Sequence, residues 1–189
     1  MKINSKVLAA AVLFGATVSP AVADNLYVAL DVGQSTSKDA CTGLPAGVSG
    51  CKDSASLVRV AGGYQFTPMW GAEVSYGDYG KASAGTGLGL SVDYQLSGLQ
   101  ISGTGTFPIG PGFSLIGKLG IAQTDLKLSG GGTSISATST NLAIGVGAQY
   151  DFTKNISARA QYEDLGNVGD DNTGKSKVTL LSAGVVFKF

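Results

Sequence analysis

The chain has 189 residues, which suits a single domain, and its 13 basic and 13 acidic groups leave no net charge. Nucleic-acid binding is not expected, because it requires a basic surface. Histidine is absent. Histidine-dependent hydrolase sites and histidine-ligated zinc are therefore excluded, and we expect no enzymatic activity, no cofactor and no metal.

The first 23 residues have the organisation of a secretory signal peptide. Lys2 and Lys6 precede an apolar run over residues 7–18, and the small residues Ala21 and Ala23 form a cleavage site. The run is too short to span a bilayer, so a retained anchor is the less favoured interpretation. Loss of Lys2 and Lys6 from the 13 basic groups leaves 11 against 13 acidic groups. We predict a cleaved leader over 1–23 and one domain over 24–189.

Residues 58–77 indicate the class of domain. They form two predicted strands around a turn at Thr67-Pro68, and every second residue is apolar, with aromatic residues near the turn. The opposite row is small or polar and carries Arg59 and Glu73. Glycines and charges suit a narrow lumen, and an apolar row suits lipid, which is the reverse of a soluble sandwich.

The same alternation predicts eight strands. Short turns at 67–68, 108–112 and 152–155 alternate with long polar connections that include 34–55 and 78–88. This asymmetry predicts an all-β protein, an eight-stranded antiparallel up-and-down transmembrane β-barrel with both termini on the short-turn side. The predicted strands cover residues 26–33, 58–66, 70–77, 92–107, 113–123, 140–150, 156–164 and 178–189.

Charged residues support this assignment of faces. Asp31, Glu73, Lys118 and Arg159 all fall on inward rows, whereas a Lys or Arg at the lipid midplane would cost about 2–4 kcal/mol. Together with Arg59 they predict a charge cluster in the lumen. Two interpretations follow: a gate in a narrow pore, in which Glu73→Gln raises conductance, or charges satisfied inside a filled barrel. The second is favoured, because small barrels fill their lumen.

Two further features suit export to the outer membrane. Cys41 and Cys51 lie in the first long connection, and in an oxidising compartment a disulfide is favoured over free thiols or a metal pair. Aromatic residues near the short turns predict an interfacial girdle. Its members are Tyr64, Phe66, Trp70, Phe107, Phe113, Tyr150, Phe187 and Phe189.

Several segments resemble the barrel domain of the outer membrane protein A family. They include Gly62-Gly63-Tyr64-Gln65 followed by Pro68, Gly71 and Glu73, then Phe107-Pro108-Ile109, Lys118-Leu119-Gly120, and the end of the chain from Leu181 to Phe189. The resemblance implies an assembly signal at Phe189 and Phe187.

The resemblance also implies a salt-bridge gate in the lumen, in which Glu73 and Arg159 match the family's glutamate and arginine. Thr104 and Gln149 align with the family's lysine and second glutamate. A cell-wall tether is not expected, because no peptidoglycan-binding domain follows the last predicted strand.

The sequence thus predicts a small outer-membrane barrel of a Gram-negative bacterium. Its expected role is structural, in envelope integrity, with adhesin-like surface interaction; a narrow porin for ions or small solutes is the alternative. Expected partners are outer-membrane lipids and lipopolysaccharide, periplasmic chaperones, the barrel-assembly machinery, and a host surface or phage. We expect a monomer. Six lysines lie in or near the outer loops: Lys38, Lys52, Lys81, Lys127, Lys175 and Lys177. They are candidates for contact with lipopolysaccharide phosphates, but simple solvation is the commoner role of such lysines and is favoured.

Overall fold

The computed structural model describes residues 25–38, 53–85, 91–130, 133–168 and 176–189. The predicted leader and both cysteines lie outside these residues. Each strand pairs antiparallel with the next along the chain, and the last pairs with the first to close a barrel. The described part of the chain contains no helix long and apolar enough to cross a membrane. The strands are β1 (Leu26–Lys38), β2 (Ser54–Gln65), β3 (Trp70–Gly85), β4 (Ser91–Gly110), β5 (Phe113–Gly130), β6 (Thr133–Asp151), β7 (Ile156–Val168) and β8 (Ser176–Lys188).

The predicted inward and outward rows are correct over the membrane-depth part of the barrel. Val74, Ile101 and Ile144 are about half exposed on the outer surface, whereas their chain neighbours Ser75 and Gln100 are buried in the lumen. Thr179 is an exception in the outward row, since it is buried between Thr36 and Asp164 of the adjacent strands. The fold class predicted from the sequence is therefore confirmed.

The strands reach further than predicted at the long-loop end. The predicted loop at 34–55 begins too early and ends too late, and the predicted loop at 78–88 begins too early, because 34–38, 54–55 and 78–85 belong to strands. β5 and β6 likewise continue to Gly130 and from Thr133. These extensions are rich in Ser, Thr and Gly and lack an outward apolar row, so backbone pairing and the packing of inward side chains such as Leu57 and Tyr79, rather than lipid contact, hold them.

The second short turn is tighter than predicted. β4 runs through Pro108 to Gly110, leaving Pro111 and Gly112 as the turn. Gly112 has a φ of 74°, which a residue with a Cβ rarely adopts.

Candidate functional site

Six charged side chains form a closed ring of alternating charge across the lumen, which we call the charge ring. Asp31, Arg59, Glu163, Lys118, Glu73 and Arg159 follow one another around it, and all are at least 95% buried. The successive nitrogen–oxygen distances are 3.1 Å for Arg59–Asp31, 2.5 Å for Arg59–Glu163, 3.8 Å for Lys118–Glu163, 2.6 Å for Lys118–Glu73, 2.6 Å for Arg159–Glu73 and 2.7 Å for Arg159–Asp31.

Neutral side chains complete the hydrogen bonding of the ring. Gln161 Oε1 accepts from Arg59 at 2.8 Å and from Lys118 at 3.2 Å. The Tyr27 hydroxyl donates to Glu73 at 3.0 Å, and Gln100 Nε2 donates to Glu163 at 3.1 Å. Buried ions are tolerated only when such partners replace their water, and the ring supplies these partners.

Glycines make room for the ring on the lumen wall. A Cβ on Gly184 would lie 2.3 Å from Asp31 Oδ1, and a Cβ on Gly145 would lie 2.7 Å from Glu163 Cγ. The bulky charged side chains therefore face positions with no side chain of their own, which is how an eight-stranded barrel holds them.

The structure brings together all five charged residues that the sequence assigned to the lumen cluster. Glu163 completes the ring but was not selected, although the alternation of β7 already placed it inward. The two positions aligned with the family's gate lie beside the ring: Thr104 is the cross-strand neighbour of Lys118, and Gln149 that of Arg159. The lysine and the second glutamate that the family's gate would place at these two positions are absent there. In this chain the ring's lysine is Lys118 on β5, and its second glutamate is Glu163 on β7.

A layer of apolar side chains closes the lumen between the charge ring and the long-loop end. Leu57, Tyr79, Leu165 and Leu180 are at most 1% exposed and form one cluster with their neighbours. We call this cluster the apolar plug; its other buried members are Leu96, Ala122, Ala143, Val168 and Val178. Sequence analysis missed it, because the predicted strands ended before Tyr79 and Leu165. Extending the inward rows by two residues would have found it.

On the other side of the ring, the lumen opens into a cavity of about 280 Å³ at the short-turn end. Thr106, Gln149 and Lys188 line it, and Glu73 and Arg159 of the ring also border it. The lumen therefore has three successive layers: an open polar cavity, the charge ring and the apolar plug.

The predicted aromatic girdle is present at the short-turn end. Trp70 packs against Phe107 with ring centroids 5.7 Å apart, and Phe113 packs against Tyr150 at 4.6 Å. Phe187 and Phe189 project outward beside it, and the Phe189 N–H donates to the Leu26 carbonyl at 3.0 Å.

An apolar outer surface, an aromatic girdle and a lumen of paired charges define a transmembrane β-barrel of the outer-membrane type. The chain belongs to the outer membrane protein beta-barrel domain family, whose match covers residues 7–189. In this class the short turns face the periplasm and the long loops face outward.

Curated relatives include outer membrane protein A of Shigella flexneri, which is 30% identical over 135 residues, 68% of this chain and 38% of the relative. Outer membrane protein A of Serratia marcescens is 29% identical over 139 residues, 67% of this chain and 37% of the relative. The chain thus spans well under half the length of these relatives, and their outer-membrane location extends to it.

Solved structures with the same fold include Neisserial surface protein A, with a TM-score of 0.64 and 20% identity over 87% of this chain and 97% of that one. The N-terminal barrel of Pseudomonas aeruginosa OprF has a TM-score of 0.61 and 18% identity over 88% and 98%. Ail, the attachment invasion locus protein of Yersinia pestis, in complex with a heparin analogue, has a TM-score of 0.57 and 21% identity over 87% of this chain and 99% of that one.

Proposed function

We propose that this protein is a non-enzymatic, monomeric scaffold of the outer membrane that supports envelope integrity and presents its outer loops for surface interaction. It would be exported through a cleaved leader over residues 1–23, and Phe187 with Phe189 would be read by the barrel-assembly machinery. The observation that carries the proposal is the double closure of the lumen by the charge ring and the apolar plug.

The double closure favours a scaffold over a narrow porin. The charge ring alone could exchange partners, because each carboxylate lies within reach of two cations. Apart from the Tyr79 hydroxyl, the apolar plug presents only hydrocarbon side chains. One hydroxyl cannot replace the water around an ion, and apolar constrictions block conduction by dewetting. Rearrangement of the ring would therefore leave the extracellular half of the lumen sealed.

The surface-interaction part of the proposal rests on the outer ends of the strands. β4, β5 and β6 have 20, 18 and 19 residues, more than the 9–11 or so that a tilted strand needs to cross the bilayer. They would carry the connecting loops beyond the lipid surface towards a host surface or phage. Ail, the attachment invasion locus protein with the same fold, is in complex with the heparin analogue sucrose octasulfate in its solved structure.

Planar-bilayer recording of the purified protein tests the closed lumen. We expect no stepwise conductance from the wild type or from Glu73→Gln, since the plug stays intact in both. Combining Glu73→Ala and Lys118→Ala with Tyr79→Ala and Leu165→Ala removes long side chains from both layers and should open a conducting path. Steady conductance from the wild type, or from Glu73→Gln alone, would favour the porin instead.

A strain that lacks the protein tests its role in the envelope separately from conduction. We expect raised detergent sensitivity and reduced adhesion, both restored by the wild type and by Glu73→Gln. Unchanged sensitivity and adhesion in the deletion strain would contradict the scaffold, whatever the bilayer recordings show.

A further inference from the structure

The lipid-facing surface contains a crevice of about 560 Å³ between β6 and β7, on the opposite side of the barrel wall from the lumen. Ile144 and Val146 of β6 and Tyr162 of β7 form its walls, and each of these side chains is about half exposed. Asp164 and Lys177 stand at its extracellular end. The crevice is therefore apolar along its length and charged at one end.

The crevice forms where the backbones of β6 and β7 move apart. Within the described residues, the β6–β7 ladder ends at the pair Ile144–Asp164, although β6 begins at Thr133. β7 is bulged against β8 between Asp164 and Asn167, where Gly166 has a φ of 73°. Beyond the ladder, Asn141 Nδ2 donates to the Asn167 carbonyl at 2.7 Å. The two strands thus diverge at a defined point and are held at a defined spacing.

The charged end carries more positive than negative charge. Lys177 Nζ lies 2.6 Å from Asp164 Oδ2, and both side chains are partly exposed. Lys38 of β1 lies directly opposite Lys177 of β8 and is also exposed. Like charges directly opposite one another destabilise a sheet, and one carboxylate cannot neutralise two ammonium groups. A bound anion would offset this repulsion.

We propose that the crevice binds the lipid A part of lipopolysaccharide, with an acyl chain along Ile144, Val146 and Tyr162 and a phosphate on Lys177 and Lys38. The position fits, because the long-loop end faces the outer leaflet, where basic groups beside an apolar surface bind phosphorylated head groups. Because the crevice lies on the outer surface, binding of lipid A there does not depend on whether the lumen conducts ions.

Native mass spectrometry of the purified protein in detergent, titrated with diphosphoryl lipid A, tests the site. Lys177→Gln should lower the apparent affinity about fivefold, the equivalent of about 1 kcal/mol for one lysine at a membrane surface. The matched control is Lys154→Gln, which removes an exposed lysine from the short turn before β7 and should leave affinity unchanged. Asp164→Asn should raise affinity, because it frees Lys177 for the phosphate.

A second titration separates lipid A from other lipids. Dephosphorylated lipid A and phosphatidylglycerol should each bind more weakly than diphosphoryl lipid A, and Lys177→Gln should reduce the difference. Equal losses from Lys177→Gln and Lys154→Gln would overturn the proposal, as would equal binding of phosphatidylglycerol. Folding of every variant is checked by its altered electrophoretic mobility before and after heating.

Discussion

At the scale of single residues, the charge ring shows how a small barrel encloses ions. Each member touches two neighbours of opposite charge, so the ring as a whole is neutral. Desolvation opposes burial of every one of these groups. Removing one member takes a partner from each of two neighbours and leaves one buried net charge uncompensated. The ring is therefore a cooperative unit rather than a sum of pairs.

Arg159→Met should destabilise the folded barrel by about 3–5 kcal/mol, the cost of leaving buried charges unpaired. Asp31 and Glu73 both lose a partner in this variant. Lys188→Met is the control: its pair with Asp151 is about one-third exposed, so the expected loss is about 0–1 kcal/mol. Urea unfolding in lipid vesicles measures both. A loss below 1 kcal/mol for Arg159→Met would show that water enters the ring and compensates the lost cation.

At the scale of the strands, large and small residues are matched between neighbours. The Tyr79 ring lies across Gly77 of its own strand and Gly98 of β4, because a Cβ at these positions would lie 2.6 and 2.7 Å from the ring. The plug can therefore hold an aromatic ring in a narrow lumen only while these positions lack side chains.

Gly98→Ala should consequently destabilise the barrel by about 1–3 kcal/mol through overpacking against Tyr79. Adding Tyr79→Leu to Gly98→Ala should recover part of the loss, since the ring is then absent. Gly117→Ala on β5 is the control, because a Cβ there meets no atom within 4 Å. The measurement is again the free energy of unfolding in vesicles. If Gly98→Ala and Gly117→Ala behaved alike, Tyr79 would not be packed against the lumen wall as described.

At the scale of the whole molecule, the barrel is inverted relative to a soluble protein. Its large exposed apolar residues encircle the outside, whereas the charge ring occupies the inside. In a bilayer this arrangement places apolar surface against hydrocarbon and satisfies backbone hydrogen bonds between strands.

Spin labels on cysteine variants should therefore report opposite environments for adjacent positions. Labels at Val74 and Ile144, which face outward, should collide with oxygen dissolved in the lipid and be shielded from a water-soluble nickel reagent. A label at Ser75, in the buried inward row, should be protected from lipid-dissolved oxygen. The inverse pattern would mean that the two faces of the sheet are wrongly assigned.

Much of this architecture could be predicted from local patterns. Alternation with a period of two residues assigned Asp31, Arg59, Glu73, Lys118 and Arg159 to one face, because a strand sends successive side chains to opposite sides. The strand ends were less predictable. Residues such as those in 133–139 show no apolar row, and their strand conformation depends on pairing with β5.

By itself, the sequence determined the class of fold, the face of each strand that meets lipid and the set of charges that must be enclosed, because these follow from side-chain alternation and from the cost of exposing charge to hydrocarbon. Only the tertiary structure decided which charges pair, that Glu163 closes the ring, and that Leu57, Tyr79, Leu165 and Leu180 seal the lumen beyond it. Those contacts depend on the stagger between strands as the barrel closes, which alternation within a single strand does not specify.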